Sequence, residues 1–434
     1  MNRRKIALIF LPMFLLILIL SPWATAPAPS VESIARPVRT EPEPSRPPAA
    51  VEKEPVRLTV AAALDEPEFE ELQRMAESLA LELPDIRADL VRTDPASAAG
   101  EFSRAAKLGE PADILLMDSA RVKSFAVSGY LAPADGVFTG DVLAEPLEAV
   151  SAPLKWNGYL WGAPRDFDPY VLVWNPDVLK ALLGENASPP QTLAEWTDLA
   201  VKSRTSPQPA HWLAIDGRDP LALLFWVEAA AGQRTDTLWN GKGANPWSGT
   251  AFGEALALLE RERAGAAFPQ ESGGIEDRLL TGEAAGVVLP YSEARKLASH
   301  AGTALTIDRS AWKLPYVWSR GTSFAISSRT KEVDAARKWI AAMAGEEPQE
   351  ANWETFGKLP VSRSFYQSGG LSSLFPGGGS ASFPFQPPAE FDPGLPERLD
   401  RLRGLWQEFA DGAIGTDEWV RRWSGLSADL QFHG

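Results

Sequence analysis

The 434-residue sequence contains no cysteine and only three histidines, His211, His300 and His433. Without cysteine the chain has no disulfide, no thiolate metal ligand, no thiol nucleophile and no thiol near the N-terminus to carry a lipid. The histidines form no metal-ligand spacing, which argues against a zinc enzyme. A G-x-S-x-G nucleophile elbow and a G-x-x-x-x-G-K-[ST] phosphate loop are also lacking. We therefore expect neither a metal nor a cofactor.

Positive charge is scarce as well. The chain has 42 lysines and arginines against 57 aspartates and glutamates, a net charge of −15 at pH 7. This balance argues against binding nucleic acid or anionic lipid through bulk charge. A hydrophobic content of 45% and a charged content of 23% are ordinary for a globular protein, and the length suggests two domains or lobes.

Residues 1–26 have the form of an export signal. Three basic residues precede an apolar run over 6–20, and small residues at 24 and 26 resemble a cleavage site. Pro27 disfavours cleavage there, and the apolar run extended to residue 26 is just long enough to span a membrane. Two interpretations stay open: a cleaved signal peptide, or a retained N-terminal membrane anchor with its basic end inside.

Residues 27–56 contain eight prolines and few large apolar side chains. This composition predicts an extended, solvated linker rather than a folded domain. Such a spacer after a hydrophobic segment suits a domain tethered outside a membrane, and it equally suits a disordered leader left after cleavage.

After the linker, strand and helix patterns alternate. VRLTVAAAL (56–64), IRADLVRT (86–93) and ADILLMD (112–118) read as strands, and each precedes a helical pattern. The alternation predicts a parallel sheet covered on both faces, with ligands beyond the carboxyl ends of its strands. The polar residues after those ends are Asp65, Glu66, Asp118, Ser119 and Arg121.

The rest of the chain predicts mostly helices with short strands between them. WKLPYVW (312–318) and GTSFAISS (321–328) read as two strands, followed by the amphipathic helix KEVDAARKWIAAMAG. Two further helical patterns end the chain. Residues 368–394 are rich in Gly, Ser, Pro and Phe, which predicts a long loop that does not form core.

Five segments, in order, carry a family resemblance. They are ADILLMDSARVKSFAVSGYLAPAD, NGYLWGAPRDFDPYVLVWNPDVLKALL, PPQTLAEWTDLAVKS, GGIEDRLLTGEAAGVVLPYSEARKL and RGTSFAISSRTKEVDAARKWIAAMAGEEPQ. Together they resemble family 1 extracytoplasmic solute-binding proteins, the carbohydrate-type receptors of ABC importers, which include maltose-binding protein. The likeness runs from about residue 57 to 434. It departs from the family's usual pattern in lacking a lipid-bearing cysteine and in carrying the proline-rich linker.

The resemblance implies an α/β, two-lobed periplasmic-binding-protein-like fold of type II, with the ligand in a cleft between lobes joined by hinge crossings. It places residues 57–164 and 312–345 in lobe 1, and 165–311 and 346–434 in lobe 2. It implies a monomeric, extracytoplasmic, non-enzymatic receptor without cofactor. The expected partners are a small solute, most simply a carbohydrate, and ABC permease subunits.

The resemblance and the chain positions together nominate ligand-binding residues. Charged side chains read sugar hydroxyls because charge-assisted hydrogen bonds are strong, and aromatic rings read the apolar sugar faces. The nominated residues are Asp168, Tyr291, Trp318, Asp166, Arg320, Arg121 and Asp219. Four of them have a structural alternative: a hinge turn for the two aspartates in RDFDP, a buried ring for Tyr291, and a helix N-cap for Asp219.

Sixteen tryptophans suit carbohydrate binding, but several occupy helical patterns and are better explained as packing residues. These are Trp196, Trp339, Trp406, Trp419 and Trp423. Two rival functions remain beside the receptor: a membrane-tethered ligand sensor for a signalling partner, favoured by the N-terminal segment and linker, and a glycosidase using two carboxylates.

Overall fold

The computed structural model describes residues 54–138, 146–207, 210–239, 245–271, 273–302, 304–367, 371–375 and 381–428. The predicted export signal or anchor (1–26) and nearly all of the linker lie outside these ranges. Within them, no helix has both the length and the apolar character needed to cross a bilayer.

The strands, in chain order, are β1 Val56–Ala63, β2 Ile86–Thr93, β3 Ile114–Asp118, β4 Leu131–Ala132, β5 Lys155–Trp156, β6 Tyr159–Leu160, β7 Ala163–Pro164, β8 Asp168–Trp174, β9 Leu213–Ala214, β10 Ala266–Ala267, β11 Gly286–Pro290, β12 Thr306–Asp308, β13 Ser319–Arg320 and β14 Thr322–Ser327.

The α-helices are α1 Glu66–Glu82, α2 Ala98–Leu108, α3 Ser119–Val127, α4 Glu148–Ser151, α5 Pro176–Leu183, α6 Leu193–Thr205, α7 Pro220–Ala231, α8 Ala251–Arg261, α9 Gly274–Leu280, α10 Tyr291–His300, α11 Val333–Met343, α12 Glu346–Phe356, α13 Ser364–Gln367, α14 Leu395–Ala410 and α15 Thr416–Ala428. Short 3-10 helices are Asp135–Phe138, Ala152–Leu154, Asp236–Trp239, Arg263–Gly265, Ser310–Lys313 and Ser372–Leu374.

The first lobe is built on a sheet of order β2-β1-β3-β14-β4, with β7 also paired to β14. Strands β1, β2 and β3 are parallel, as their alternation with helices predicts. The sheet is nevertheless mixed, because β14 returns from the second lobe and pairs with β3 in the antiparallel direction. Helix α2 ends at Gly109 in a left-handed conformation (φ 81°), which a glycine adopts without strain.

The second lobe is built on a sheet of order β10-β9-β11-β8-β12, with β13 also paired to β8. Every residue of β8 is buried, which explains its unbroken apolar run from Val171 to Trp174. Strand β11 lies antiparallel to β8. Gly286 at its start makes room for the Trp174 ring, since a Cβ there would lie 2.5 Å from that ring.

Most of the tryptophans lie in the core of the second lobe. Trp174, Trp196, Trp212 and Trp226 form one buried cluster, with ring centroids 5.4–6.0 Å apart. A second buried cluster contains Trp239, Trp247, Trp419 and Trp423. The five tryptophans assigned to helix packing from sequence are all buried, Trp339 in the first-lobe core and the other four in this core. The high tryptophan content therefore serves mainly to fill the second-lobe core.

The chain changes lobe between β7 and β8, again between β13 and β14, and a third time after α11. The expected boundary at residue 312 differs from the structure, because Trp312, Val317 and Trp318 pack in the second-lobe core. The change of sheet falls at Gly321, between β13 and β14. The strand predicted for WKLPYVW is also wrong, since this stretch holds a 3-10 helix and then an irregular buried segment. Pro315 within it cannot donate to a strand ladder.

The prediction that residues 368–394 form no core is wrong for their described part. Phe375, Phe383 and Phe391 are all buried in the second-lobe core. Phe383 donates its backbone N–H to Leu314 and lies in the same aromatic cluster as Tyr316. Glycine and proline shape the path of this segment, but its phenylalanines anchor it.

Candidate functional site

A cleft of about 1470 Å³ is lined by residues from both lobes. Its first-lobe wall is formed where β1 and β3 end and α1 and α3 begin. Its second-lobe wall contains Asp219 at the start of α7, Glu293 in the first turn of α10, and Arg320 on β13. Polar side chains therefore gather at strand ends and helix starts on both sides, where α/β sheets hold their ligands.

The first-lobe wall presents two carboxylates that cap helices. Asp65 accepts a hydrogen bond from the Glu68 N–H at 3.0 Å, and Asp118 accepts one from Ala120 at 2.9 Å. Asp118 is exposed in the cleft, and its enclosure by the surrounding walls raises its pKa although the Ala120 hydrogen bond opposes the shift. Both carboxylates therefore cap a helix and also line the cleft.

Arg320 is the centre of the second-lobe wall. Its guanidinium donates to Asp219 at 2.7 Å, to Glu293 at 3.0 Å and to the Tyr170 hydroxyl at 2.8 Å, while its side chain stays 45% exposed. Tyr170 in turn donates to Asp219. Burial alone would raise the pKa of Asp219, but the charge of Arg320 and the hydrogen bonds from Arg320 and Tyr170 lower it. The network keeps a carboxylate ionised at the cleft surface.

Asp219 combines two roles that the sequence left as alternatives. It is the N-cap of α7, where it accepts from the Leu221 N–H at 3.0 Å. Its other carboxylate oxygen belongs to the Arg320 network and lies on the cleft wall. The capping interpretation is confirmed, and it does not remove the residue from the cleft.

Asp166 and Asp168 are both nearly fully buried, although both border the cleft. Asp168 accepts hydrogen bonds from the N–H and hydroxyl of Ser292, at 2.9 and 2.6 Å, and so fixes the start of α10 against β8. Its burial raises its pKa, with the Ser292 bonds opposing that shift. The structure therefore gives Asp168 a structural partner within the second lobe.

Asp166 joins segments that cross between the lobes. Its carboxylate accepts from Thr322 N–H and hydroxyl at 3.0 and 2.8 Å, and from Arg165 at 3.0 Å. Asn352, on the third crossing, bonds both Arg165 and Asp166. Gly321 allows the close approach, because a Cβ there would lie 2.8 Å from the Asp166 carbonyl oxygen. Asp166 thus lies at the hinge.

Arg121 and Asp400 form an ion pair between the lobes. The Arg121 guanidinium, on α3, contacts both carboxylate oxygens of Asp400, on α14, at 2.9 and 3.1 Å. Arg403 contacts the same carboxylate at 2.7 Å. The structure places Arg121 on the cleft wall, with a partner 279 residues away that the sequence could not indicate.

The two nominated aromatic residues differ in placement. Trp318 lines the cleft, although it is only 3% exposed, and its indole N–H donates to the Thr235 hydroxyl at 2.6 Å. Tyr291 is buried against Trp312 and lies parallel to the Trp353 ring. Among the described residues that line the cleft, Trp318 is the single tryptophan and Tyr291 is absent.

Several cleft residues were not nominated from the sequence. They are Glu68, Lys358, Glu293, Phe391, Asp400 and Arg403. Glu68 lies in α1, where it is buried and ion-paired with Lys358. One feature of the sequence could have indicated Glu293 as a cleft residue: it lies in the first turn of a helix that follows a buried strand. Within the described ranges, histidines and carboxylates form no group of three or more arranged to hold a metal ion.

Glu228 supports Trp318 from behind the cleft wall. It accepts from the N–H and hydroxyl of Thr235, the residue that receives the Trp318 indole bond. Complete burial raises the pKa of Glu228 well above 4.5, although the Thr235 hydrogen bonds oppose the shift. The folded protein therefore binds this proton more tightly than the unfolded chain, and its stability declines as pH rises from about 4.5 through the folded-state pKa.

Glu228→Gln should remove this pH dependence, because the amide keeps an acceptor for Thr235 and cannot ionise. We expect the variant to be more stable than the parent protein at pH 8 and to lose that advantage below about pH 4.5. Urea unfolding of both proteins across this pH range measures the difference. If the stability of the variant minus that of the parent were lower at pH 8 than at pH 4, the fold would favour the ionised carboxylate, contrary to this expectation.

The family profile described as bacterial extracellular solute-binding protein matches residues 85–374. No curated protein matches the sequence.

Solved structures share the fold at low sequence identity. The GacH receptor of Streptomyces glaucescens, solved unliganded and with acarbose, is 19% identical with a TM-score of 0.68, covering 87% of this chain and all of that chain. An ABC substrate-binding protein of Listeria monocytogenes in complex with cycloalternan is 15% identical with a TM-score of 0.67, covering 86% and 98%. The sugar-binding protein MalE of Xanthomonas citri is 15% identical with a TM-score of 0.66, covering 85% and 96%.

Proposed function

The chain belongs to the bacterial extracellular solute-binding proteins, and we propose that it captures a sugar or oligosaccharide between its lobes and delivers it to an ABC importer. The observation that carries this proposal is the cleft itself, whose two walls each present charged groups suited to hydroxyls: Asp118 and Arg121 on one side, Asp219 and Arg320 on the other. The fold-level neighbours solved with acarbose and cycloalternan support a saccharide as the solute class.

Binding would be coupled to closure of the lobes. A ligand that touches one wall in the open form gains its contacts to the other wall only when the lobes close. That difference in affinity between the two states is what stabilises the closed form. Asp166 and its partners lie where the crossing segments meet, so the rotation would take place around them. The closed form would be the one that docks on the permease.

A saccharide panel tests the proposal. Isothermal titration calorimetry with monosaccharides, maltose to maltohexaose, xylobiose to xylohexaose, cycloalternan and D-mannitol should find one or more ligands that bind with one-to-one stoichiometry. The same ligand should change the intrinsic tryptophan fluorescence. Reducing ends should not accumulate during incubation, because binding involves no hydrolysis. A folded protein that responds to no member of the panel would contradict sugar binding, and release of reducing sugar would indicate a glycosidase.

Transport and sensing share the same binding step and differ in the partner. The hydrophobic segment and proline-rich linker in residues 1–56 favour a receptor held near the membrane, which suits a ligand sensor as well as an importer. Neighbouring genes for permease subunits would support delivery, and a neighbouring histidine kinase would support sensing. Mass determination of the N-terminus of the exported protein would distinguish a cleaved signal from a retained anchor.

A further inference from the structure

One cleft-lining tryptophan is covered by an aromatic residue of the chain itself. Residues 387–394 (PPAEFDPG), here called the strap, lie just before α14 and place Phe391 on the cleft wall. The Phe391 ring stacks on Trp318, with centroids 5.5 Å apart and planes 17° apart. Phe391 is 6% exposed and Trp318 3%. The tryptophan lining the cleft therefore offers almost no free ring face.

The strap is attached to both lobes. On the second lobe, Arg234 donates to the Pro387 carbonyl at 3.3 Å, and Asp236 accepts from the Ala389 N–H. On the first lobe, the buried ammonium of Lys123 donates to the Phe391 carbonyl at 2.7 Å. Burial lowers the pKa of Lys123, while nearby acidic residues oppose the shift. Hydrogen bonds with residues of both lobes, at Phe391 and at the residues before it, hold its ring in place over Trp318.

We propose that Phe391 sets the length of saccharide that the cleft accepts, by filling the place on Trp318 where a further sugar ring would stack. The inference rests on the proposed function, because it concerns the extent of the same site. An aromatic face attracts an apolar sugar face for the same reason that it attracts another ring, so the two compete for one surface. With Phe391 in place, the ligand ends before Trp318, and short saccharides bind as well as longer ones.

A packing role alone predicts a different outcome. If Phe391 only stabilised the fold, its removal would weaken binding of every saccharide by a similar factor. If it occupies a sugar position, its removal opens a subsite that only longer saccharides reach. The ratio of affinities for long and short ligands separates these cases, and a general loss of stability leaves that ratio unchanged.

The test compares the parent protein with Phe391→Ala, titrated with the maltose-to-maltohexaose and xylobiose-to-xylohexaose series. We expect the affinity ratio of the longest to the shortest binding saccharide to rise about tenfold in the variant, the value of one aromatic stacking contact. Phe385→Ala is the matched control, because Phe385 lies in the same part of the chain, packs on Phe375 and does not line the cleft. Its ratio should equal that of the parent.

Phe391→Leu is a second variant in case the alanine variant misfolds, because leucine keeps apolar volume without a flat ring. Its affinity ratio of long to short saccharides should rise by a smaller factor than that of Phe391→Ala. An unchanged ratio in the folded Phe391 variants, beside a parent that binds short saccharides, would overturn the inference and leave the proposed function standing. A parent that binds no member of either series would overturn both.

Discussion

Replacing Asp166 by alanine is expected to lower the free energy of unfolding by about 3–5 kcal/mol, as when one partner of a buried ion pair is removed. Asp166 and Arg165 are 1% and 3% exposed, and the carboxylate also receives hydrogen bonds from Thr322 and Asn352. The variant would leave the buried Arg165 guanidinium without its nearest anion. It would also leave the hydrogen-bond donors of Thr322 and Asn352, on two crossing segments, without their acceptor. Urea unfolding monitored by circular dichroism measures the loss.

Asp168→Ala provides the matched control for this change. Asp168 is also a buried aspartate, two residues further along, but the groups that bond its carboxylate are the hydroxyl and N–H of Ser292 rather than a cation. Its loss should cost about 1–3 kcal/mol, the range for leaving buried neutral donors unpaired. If the two variants were destabilised equally, the position of Asp166 at the meeting point of the crossings would have no special energetic weight.

Replacing Arg320 by methionine is expected to weaken saccharide binding by about 10- to 100-fold, equivalent to one hydrogen bond from a charged group. The change removes the half-exposed guanidinium from the cleft wall and releases Asp219 and Glu293, which it holds at 2.7 and 3.0 Å. Without that cation the Asp219 carboxylate loses the main influence that lowers its pKa. Calorimetric titration of the variant with the tightest-binding saccharide measures the effect.

Arg278→Met is the control for removing an arginine ion pair elsewhere. Arg278 pairs with Glu283 at 3.0 Å, has a similarly half-buried side chain and does not line the cleft. It should leave saccharide affinity within about twofold of the parent value, since its partner lies outside the ligand site. Equal losses in the two variants would mean that Arg320 acts through general stability.

The local elements were predictable because the information for them is local. Strand β2 spans the residues that its alternation predicts, and α2 is capped by Gly109, a residue typical of helix ends. Asp219 was recognisable as a helix cap, because an aspartate before a proline and an apolar run is typical of a helix start. The carboxyl ends of β1 and β3 also predicted the first-lobe wall of the cleft.

The pairings across the fold were not predictable from one sequence. Arg121 and Asp400 lie on helices far apart in the chain. In the sequence, each is simply a residue on the polar face of an amphipathic helix, and nothing indicates its partner. Phe391 lies in a stretch whose proline and glycine predict a loop, and only the fold shows that its ring meets Trp318. Residues 312–318 read as a strand by hydrophobicity, yet Trp312 is held by the second-lobe core and donates to the Tyr170 carbonyl.

The tryptophan count illustrates how composition can mislead about function. Sixteen tryptophans suggest sugar stacking, but two clusters of four fill the second-lobe core. In the described part of the chain, the cleft receives one tryptophan, and that ring is covered by Phe391. Recognition of a ligand would therefore depend mainly on charged and polar groups rather than on exposed aromatic faces.

A crystal structure of the protein with its tightest-binding saccharide tests the account most directly. We expect the sugar in the cleft with hydroxyls bonded on both walls, to Asp118 or Arg121 on the first lobe and to Asp219 or Arg320 on the second. The lobes should be closed around it, and Phe391 should remain stacked on Trp318. A saccharide bound to one lobe alone, or at a surface away from the cleft, would contradict the proposal that both lobes recognise the ligand.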